Sequence, residues 1–380
     1  MNILIGLSML ILGGVSAGSC YTPFRKVQGW AWESLWTVQG LVAWLLLPLL
    51  LALLATPHLW EVLGAVPAST LFYTYLFGFL WGIGGLAWGI AVRYVGISLG
   101  FTIATGFLSS LGTLVPIVAA GQLGEVLSTT PGKITMLSVL VSLIGIAICG
   151  SAGVRRDREK TKPAQAALAE QEPGHPELVE GELVGGNRFK KGIFIAFLAG
   201  VLAACFAFGI NTGAPIREKA IEFGASPIWA TSPVFFVELL GGITVNLSYC
   251  IWMHLRNRSF GDYTRTGLGG SPSGGGSPRP ALSLPKATLA GNYSFSALAG
   301  ALWYLQFIFY GMAAFYMGRY SFTNWSIHMS FMVVASNLWG FYYKEWNGVS
   351  PKTFRRNIIG IIVLVTAGII MGIASYVKGT

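Results

Sequence analysis

Ten stretches of apolar residues, most about 20 long, follow one another along the chain, and each is long enough to cross a bilayer as a helix. They cover roughly 2–22, 35–56, 69–92, 95–120, 134–152, 192–214, 228–253, 288–317, 320–343 and 358–377. Backbone inside hydrocarbon must satisfy its own hydrogen bonds, so such runs are helices or the strands of a closed barrel. Barrel strands alternate in segments of about ten residues. The unbroken apolar run Leu41–Ala55 specifies a helix instead. With 11% charged residues, against about 25% in soluble domains, the chain could not cover itself with polar groups in water.

The net charge of +10 would point to nucleic acid in a soluble protein. Here it reports topology. Loops after odd-numbered runs hold twenty Lys and Arg, and the opposite side holds five. By the positive-inside rule both termini lie outside the cytoplasm. Leaving out the two longest loops, the balance is seven against five in the same direction. The first run has no basic residue before it and reads as a first helix, not a cleaved signal. Residues 154–191 carry eight basic and seven acidic side chains and read as an unstructured cytoplasmic linker. Residues 255–286 contain a Gly/Ser/Pro run from Gly269 to Pro278 and read as a flexible loop. Cys20, Cys149, Cys205 and Cys250 form no CxxC pair, so no zinc site or disulfide framework is expected.

The linker divides the runs into two fives, 1–153 and 192–380, and the halves resemble each other. Placing 78–96 over 300–318 matches Gly78, Leu80, Trp81, Gly89, Ala91, Tyr94 and Gly96 with Gly300, Leu302, Trp303, Gly311, Ala313, Tyr316 and Gly318. The first and sixth runs share Gly14-Val15 and Ala17 with Gly200-Val201 and Ala203. An odd number of helices per half forces opposite orientations. The expected fold is an all-α polytopic membrane protein of ten transmembrane helices in two inverted five-helix repeats. Inverted repeats characterise secondary transporters, whose site lies near the midplane between the halves.

Gly78, Gly82, Gly85 and Gly89 recur every three or four residues, a pattern that lets helices approach closely. Trp81 and Trp88 share a face, as do Trp303, Phe307 and Tyr310 on the matching run. Tryptophan in mid-span departs from its usual place at the interface. Rings there suit a ligand with C–H faces and hydroxyls, such as a sugar, although core packing would also account for them. Ser16, Ser19, Thr102, Asn211, Asn246, Gln306, Asn324 and His328 are polar residues inside runs. Tyr320, Asn324 and His328 fall on one helical face, and Ser98, Thr102 and Gly106 are their repeat-related positions. Ionisable groups in a membrane are functional candidates. Here they are Glu238 and His328, with Glu33 at the start of the second run.

The segment Cys20-Tyr21-Thr22-Pro23-Phe24-Arg25-Lys26 with Trp30-Ala31-Trp32-Glu33 resembles the first-loop motif of the L-rhamnose–proton symporters, in the drug/metabolite transporter superfamily. Leu80-Trp81-Gly82-Ile83-Gly84, Arg93-Tyr94, Trp303-Tyr304-Leu305-Gln306, His328-Met329-Ser330-Phe331 and Lys344-Glu345-Trp346-Asn347 extend the likeness over nearly the whole chain. It implies ten helices and proton-driven uptake of a 6-deoxyhexose across the bacterial inner membrane, with the proton as coupling ion and no other cofactor. The chain departs from the family at Gly85 and Ala87, where amides stand in familiar members, so its pocket and substrate could differ. In the reading that follows, Trp81, Trp303 and Tyr304 form apolar walls, Gln306, Asn211 and Asn324 bond hydroxyls, and Tyr310 is a further substrate-binding residue. His328 carries the proton, with Glu33 and then Glu238 behind it. Rival readings are an exporter of amphipathic metabolites or drugs on the same scaffold and a non-transporting sugar sensor. A membrane enzyme is disfavoured, because the histidines at 58, 175, 254 and 328 form neither an HExxH nor a Ser-His-Asp spacing.

Overall fold

A computed structural model describes residues 2–95, 105–171 apart from 110, 112–113, 115–117, 119–120 and 122, then 187–264, 289–374 and 377. Among these the regular structure is entirely helical. The helices are α1 Ile3–Ser19, α2 Trp32–Ala55, α3 Leu59–Gly64, α4 Ala68–Val95, α5 Leu123–Ser128 and α6 Thr130–Gln171. After them come α7 Asn187–Thr212, α8 Ala214–Glu222, α9 Ser232–Asn257, α10 Leu289–Met317, α11 Asn324–Tyr342 and α12 Pro351–Ala374.

Eight helices among the described residues are long and apolar enough to cross a membrane. The run at 95–120 lies mostly outside the described residues, and so do Ser98, Thr102 and the Gly/Ser/Pro run. The helix over the run 320–343, α11, is not one of the eight; Asn324, Ser326, His328, Ser330, Ser336 and Asn337 dilute its apolar character. The mixed-charge stretch that reads as unstructured in the sequence is helical as far as Gln171. Its Arg, Lys, Glu, Gln and Ala are good helix formers, so α6 continues after the apolar segment ends.

The chain forms two compact units, one of Met1–Gly14, Ile83–Phe208 and Ala313–Thr380, the other of Val15–Gly82 and Gly209–Met312. Four helices, α1, α4, α7 and α10, contribute to both.

In the first unit α6 and α12 run antiparallel in close contact. Ser138 Oγ donates to the Ala367 carbonyl at 2.8 Å, and Gly145 and Gly360 leave room for Leu364 and Cys149. Gly14 lets α1 meet the α11 backbone, since a β-carbon there would stand 2.6 Å from Phe331 Cβ. The charged end of α6 is anchored as well. Glu159 accepts from the Ser350 amide, Ser350 Oγ and Thr353 Oγ1 at 2.6–2.8 Å, at the first turn of α12.

In the second unit α4 and α9 meet backbone to backbone. A methyl on Gly78 would run into the Glu238 carbonyl, and one on Gly241 into the Tyr75 carbonyl. Helix α2 contains a π-turn at Val42–Leu46. Pro48 explains it: proline has no N–H for the Trp44 carbonyl and its ring crowds that oxygen, so the helix widens there. Ala52, Leu59, Val66, Ile216, Val234, Phe236 and Val237 close one end of this unit as an apolar core.

The glycine contacts predict unequal costs. Gly78→Val should destabilise the protein by about 3 kcal/mol, since overpacking against rigid backbone finds little relief. Gly85 meets nothing within 4 Å, so Gly85→Ala should be neutral or stabilising by about 0.5 kcal/mol. Thermal unfolding of both variants in detergent checks the contrast.

Candidate functional site

Helix α2 carries Trp36 and Trp44 about two turns apart, and both rings enter an aromatic cluster in the second unit. Trp44 lies 5.8 Å from Trp81 on α4 and 5.2 Å from Trp303 on α10, each edge to face. Trp81 and Trp303 are 5.7 Å apart. Phe307 continues the cluster at 4.8 Å from Trp303 and 5.4 Å from Phe235. Gly242 allows Trp81 to lie against α9, because a β-carbon there would stand 2.5 Å from the ring. The two tryptophans that the repeat aligns are thus in one cluster, and Trp44, which the sequence reading passed over, packs edge-on against both.

Beside the cluster a narrow cleft is lined by Cys20, Tyr21, Phe24, Trp36, Gln39, Ala299 and Trp303. Three of these belong to the first-loop motif. The cleft is too tight to admit even a water, so a hexose enters only if these side chains part. Gln39 Oε1 and the Tyr304 hydroxyl are buried polar atoms with no hydrogen-bond partner among the described residues. Trp36 Nε1 donates to Asn246 Oδ1 at 2.7 Å and ties α2 to α9.

The remaining expected residues are placed as follows. Gln306 Nε2 donates to the Trp303 carbonyl of its own helix at 2.8 Å. Tyr310 is buried and near enough to Glu238 to interact electrostatically. Asn211 is exposed near the end of α7. Glu238 is 0% exposed and neither of its oxygens has a hydrogen-bond partner among the described residues; its carboxyl fills the notch left by Gly209. Asn324 and His328 belong to the first unit. Both are buried on α11, His328 with its ring 6.3 Å from Trp325 and the Leu10 backbone within hydrogen-bonding reach. The side chains of Trp88 and Tyr320 lie outside the described residues.

A second cluster forms at the other end of α2. Arg258 takes a left-handed conformation, φ 53°, and turns the chain out of α9 into a tight helical turn, Ser259–Tyr263. That turn places Ser259 and Asp262 over the start of α2. Glu33, 1% exposed, accepts from Ser259 Oγ at 2.6 Å and from Asn257 Nδ2 at 2.9 Å, both on Oε1. Asp262 Oδ2 accepts from the Ala31 amide at 2.8 Å and Ser34 Oγ at 2.6 Å. His254 bridges Ser259 Oγ on Nδ1, at 2.7 Å, and Tyr263 OH on Nε2, at 2.8 Å. Burial pushes the Tyr263 phenol up to about 12, so it keeps its proton at neutral pH. Sequence reasoning missed His254, Ser259, Asp262 and Tyr263; the last three have partners at the start of α2, more than 200 residues away.

A helical membrane protein whose apolar helices enclose a ring-lined cleft and buried ionisable side chains has the general make-up of a membrane transporter. The chain matches the L-rhamnose-proton symport protein family over residues 1–171 and 182–376 and belongs to that family. It is 33% identical to the L-rhamnose-proton symporter of Yersinia pestis (strain Pestoides F) over 374 residues, 98% of each chain. It is 32% identical to the L-rhamnose-proton symporter of Klebsiella pneumoniae (strain 342) over 372 residues, again 98% of each.

The Trp36–Asn246 bond predicts an asymmetric double-mutant cycle. Trp36→Phe leaves the Asn246 oxygen buried and unpaired, which should cost about 1–3 kcal/mol. Adding Asn246→Leu should recover much of that loss in unfolding midpoints.

Proposed function

We propose that the protein couples proton entry to L-rhamnose uptake by alternating access. The observation that carries this is the family match along nearly the entire chain, together with relatives of equal length that bear the symporter name. The eight apolar helices supply the membrane setting. We take the complete architecture to be ten helices in two inverted repeats in the bacterial inner membrane, with both termini periplasmic. Two observations support it: the nineteen-residue correspondence between α4 and α10, and the fact that the helices shared by both compact units are the pairs α1/α7 and α4/α10 that the sequence relates.

In this reading the sugar is bound beside the aromatic cluster. Trp81, Trp303 and Trp44 present ring faces to its C–H surface. Gln39 and Tyr304 bring buried polar atoms able to bond hydroxyls. Tyr310 and Gln306 stand on the same helix, Gln306 with its amide already engaged. Asn324 lies in the first unit, with both polar atoms of its side chain buried and without hydrogen-bond partners among the described residues. The narrow cleft fits a carrier that opens to load and closes to carry.

The experiment is uptake of labelled L-rhamnose into proteoliposomes with and without an inward proton gradient. Gradient-dependent accumulation is expected. Indifference to the sugar, with efflux of apolar cations, would favour the exporter reading. Trp303→Ala should weaken half-saturation by about tenfold, a loss of roughly 1.4 kcal/mol, and Trp303→Tyr should recover part of it. Unchanged kinetics in Trp303→Ala would remove the cluster from the site.

A further inference from the structure

The symport reading requires a group that takes and releases a proton, and the structure holds a built chain for one. The Ser259 hydroxyl has a single hydrogen, and at 2.6 Å it is committed to Glu33 Oε1. His254 Nδ1, 2.7 Å from the same oxygen, must then donate to it. At the far side Tyr263 OH lies 2.8 Å from His254 Nε2 and 3.4 Å from the Ser34 carbonyl. The phenol can donate to Nε2, leaving His254 neutral. Alternatively it accepts from a protonated Nε2 and turns its own hydrogen toward Ser34. The second oxygen of Glu33 is buried with no hydrogen-bond partner among the described residues.

The geometry points to the chain Glu33–Ser259–His254–Tyr263 as the seat of the coupling proton, held as one exchangeable proton shared between Glu33 and His254. With the proton on His254, the imidazolium donates to Ser259 and to Tyr263, and Glu33 is its carboxylate counterion. Transfer moves the Nδ1 hydrogen to Ser259 Oγ as the serine hydrogen passes to Glu33 Oε1. A neutral imidazole with its hydrogen on Nε2 and a carboxylic acid result. One proton changes place, Ser259 ends with one hydrogen, and no other reactant is needed. The groups facing this chain are Asp262 and Tyr263 in the turn, Cys250 on α9 and Tyr293 on α10. Asp262 keeps its own donors, Ala31 and Ser34, and adds negative charge that favours the proton's arrival.

The same two helices join this chain to the aromatic cluster. Helix α2 carries Glu33, Trp36 and Trp44, and α9 carries His254 and Asn246, bonded to Trp36. From Glu33 to Trp44 is about 16 Å along the helix axis. A change of charge at one end is therefore felt through elements that also hold the sugar-facing rings. Glu238, by contrast, has no hydrogen-bond partner among the described residues, and its Oε1 lies against Gly209.

This inference rests on the symport reading, and the test separates the two. In proteoliposomes, L-rhamnose counterflow at equal pH reports sugar translocation, whereas gradient-driven accumulation and sugar-induced proton movement report coupling. Glu33→Gln should keep counterflow and lose both coupled activities. Ser259→Ala and Tyr263→Phe, which retain the carboxyl, should shift the pH profile of accumulation by about half a unit or more while counterflow persists. Accumulation by Glu33→Gln equal to that of the unchanged chain would overturn the proposal and move the proton to His328 or Glu238. If Glu33→Gln is not recovered folded, the two milder variants decide, and an unmoved pH profile in both overturns it. Absence of counterflow in the unchanged chain would overturn the symport reading itself.

Discussion

The close approach of α4 and α9 sets the geometry of the second unit. It depends on glycine at Gly78 and Gly241, where any side chain would strike the opposing backbone. Without that approach Trp81 could not lie on Gly242 or reach Trp44 and Trp303. In a bilayer no hydrophobic force draws one apolar helix to another, so tight backbone packing and internal hydrogen bonds must do so. The Trp36–Asn246 bond and the Asp262 contacts to Ala31 and Ser34 supply the latter between α2 and the α9 end of the chain.

That constraint also sorts the ionisable residues. Charged or titratable groups are costly in hydrocarbon and persist where function or pairing retains them. Glu33 meets the cost through bonds to one oxygen and His254 through bonds to both ring nitrogens, joined by one serine. Glu238 is inserted into a glycine notch and bonded to nothing among the described residues. His328 lies in the other unit against Trp325. These are three different environments, and the first contains a hydrogen-bonded route along which a proton can move.

Much of the fold was legible because apolar run length and glycine spacing are local signals. The α4–α10 correspondence aligned Trp81 with Trp303, and the structure brings those rings together. The first-loop motif proved to line the cleft through Cys20, Tyr21 and Phe24. What stayed hidden was pairing across long sequence distance. Trp44 read as one more apolar residue, since its neighbours on α4 and α10 are invisible from its own run. His254 read as an isolated histidine for the same reason, its route to Glu33 passing through Ser259, 226 residues from that carboxyl. Hydrogen-bonding capacity does not show where a side chain turns: the Gln306 amide bonds its own helix, and Asn211 is exposed. The charged end of α6 looked unstructured by composition, yet helix propensity and the Glu159 contacts with α12 keep it ordered.

In a symporter sugar and proton cross together. The most direct measurement is external pH in weakly buffered proteoliposomes, with no imposed gradient, on addition of L-rhamnose. The sugar should draw protons inward and turn the medium alkaline, with no response to a non-substrate sugar. L-rhamnose entering at a steady rate without any change in external pH would contradict symport.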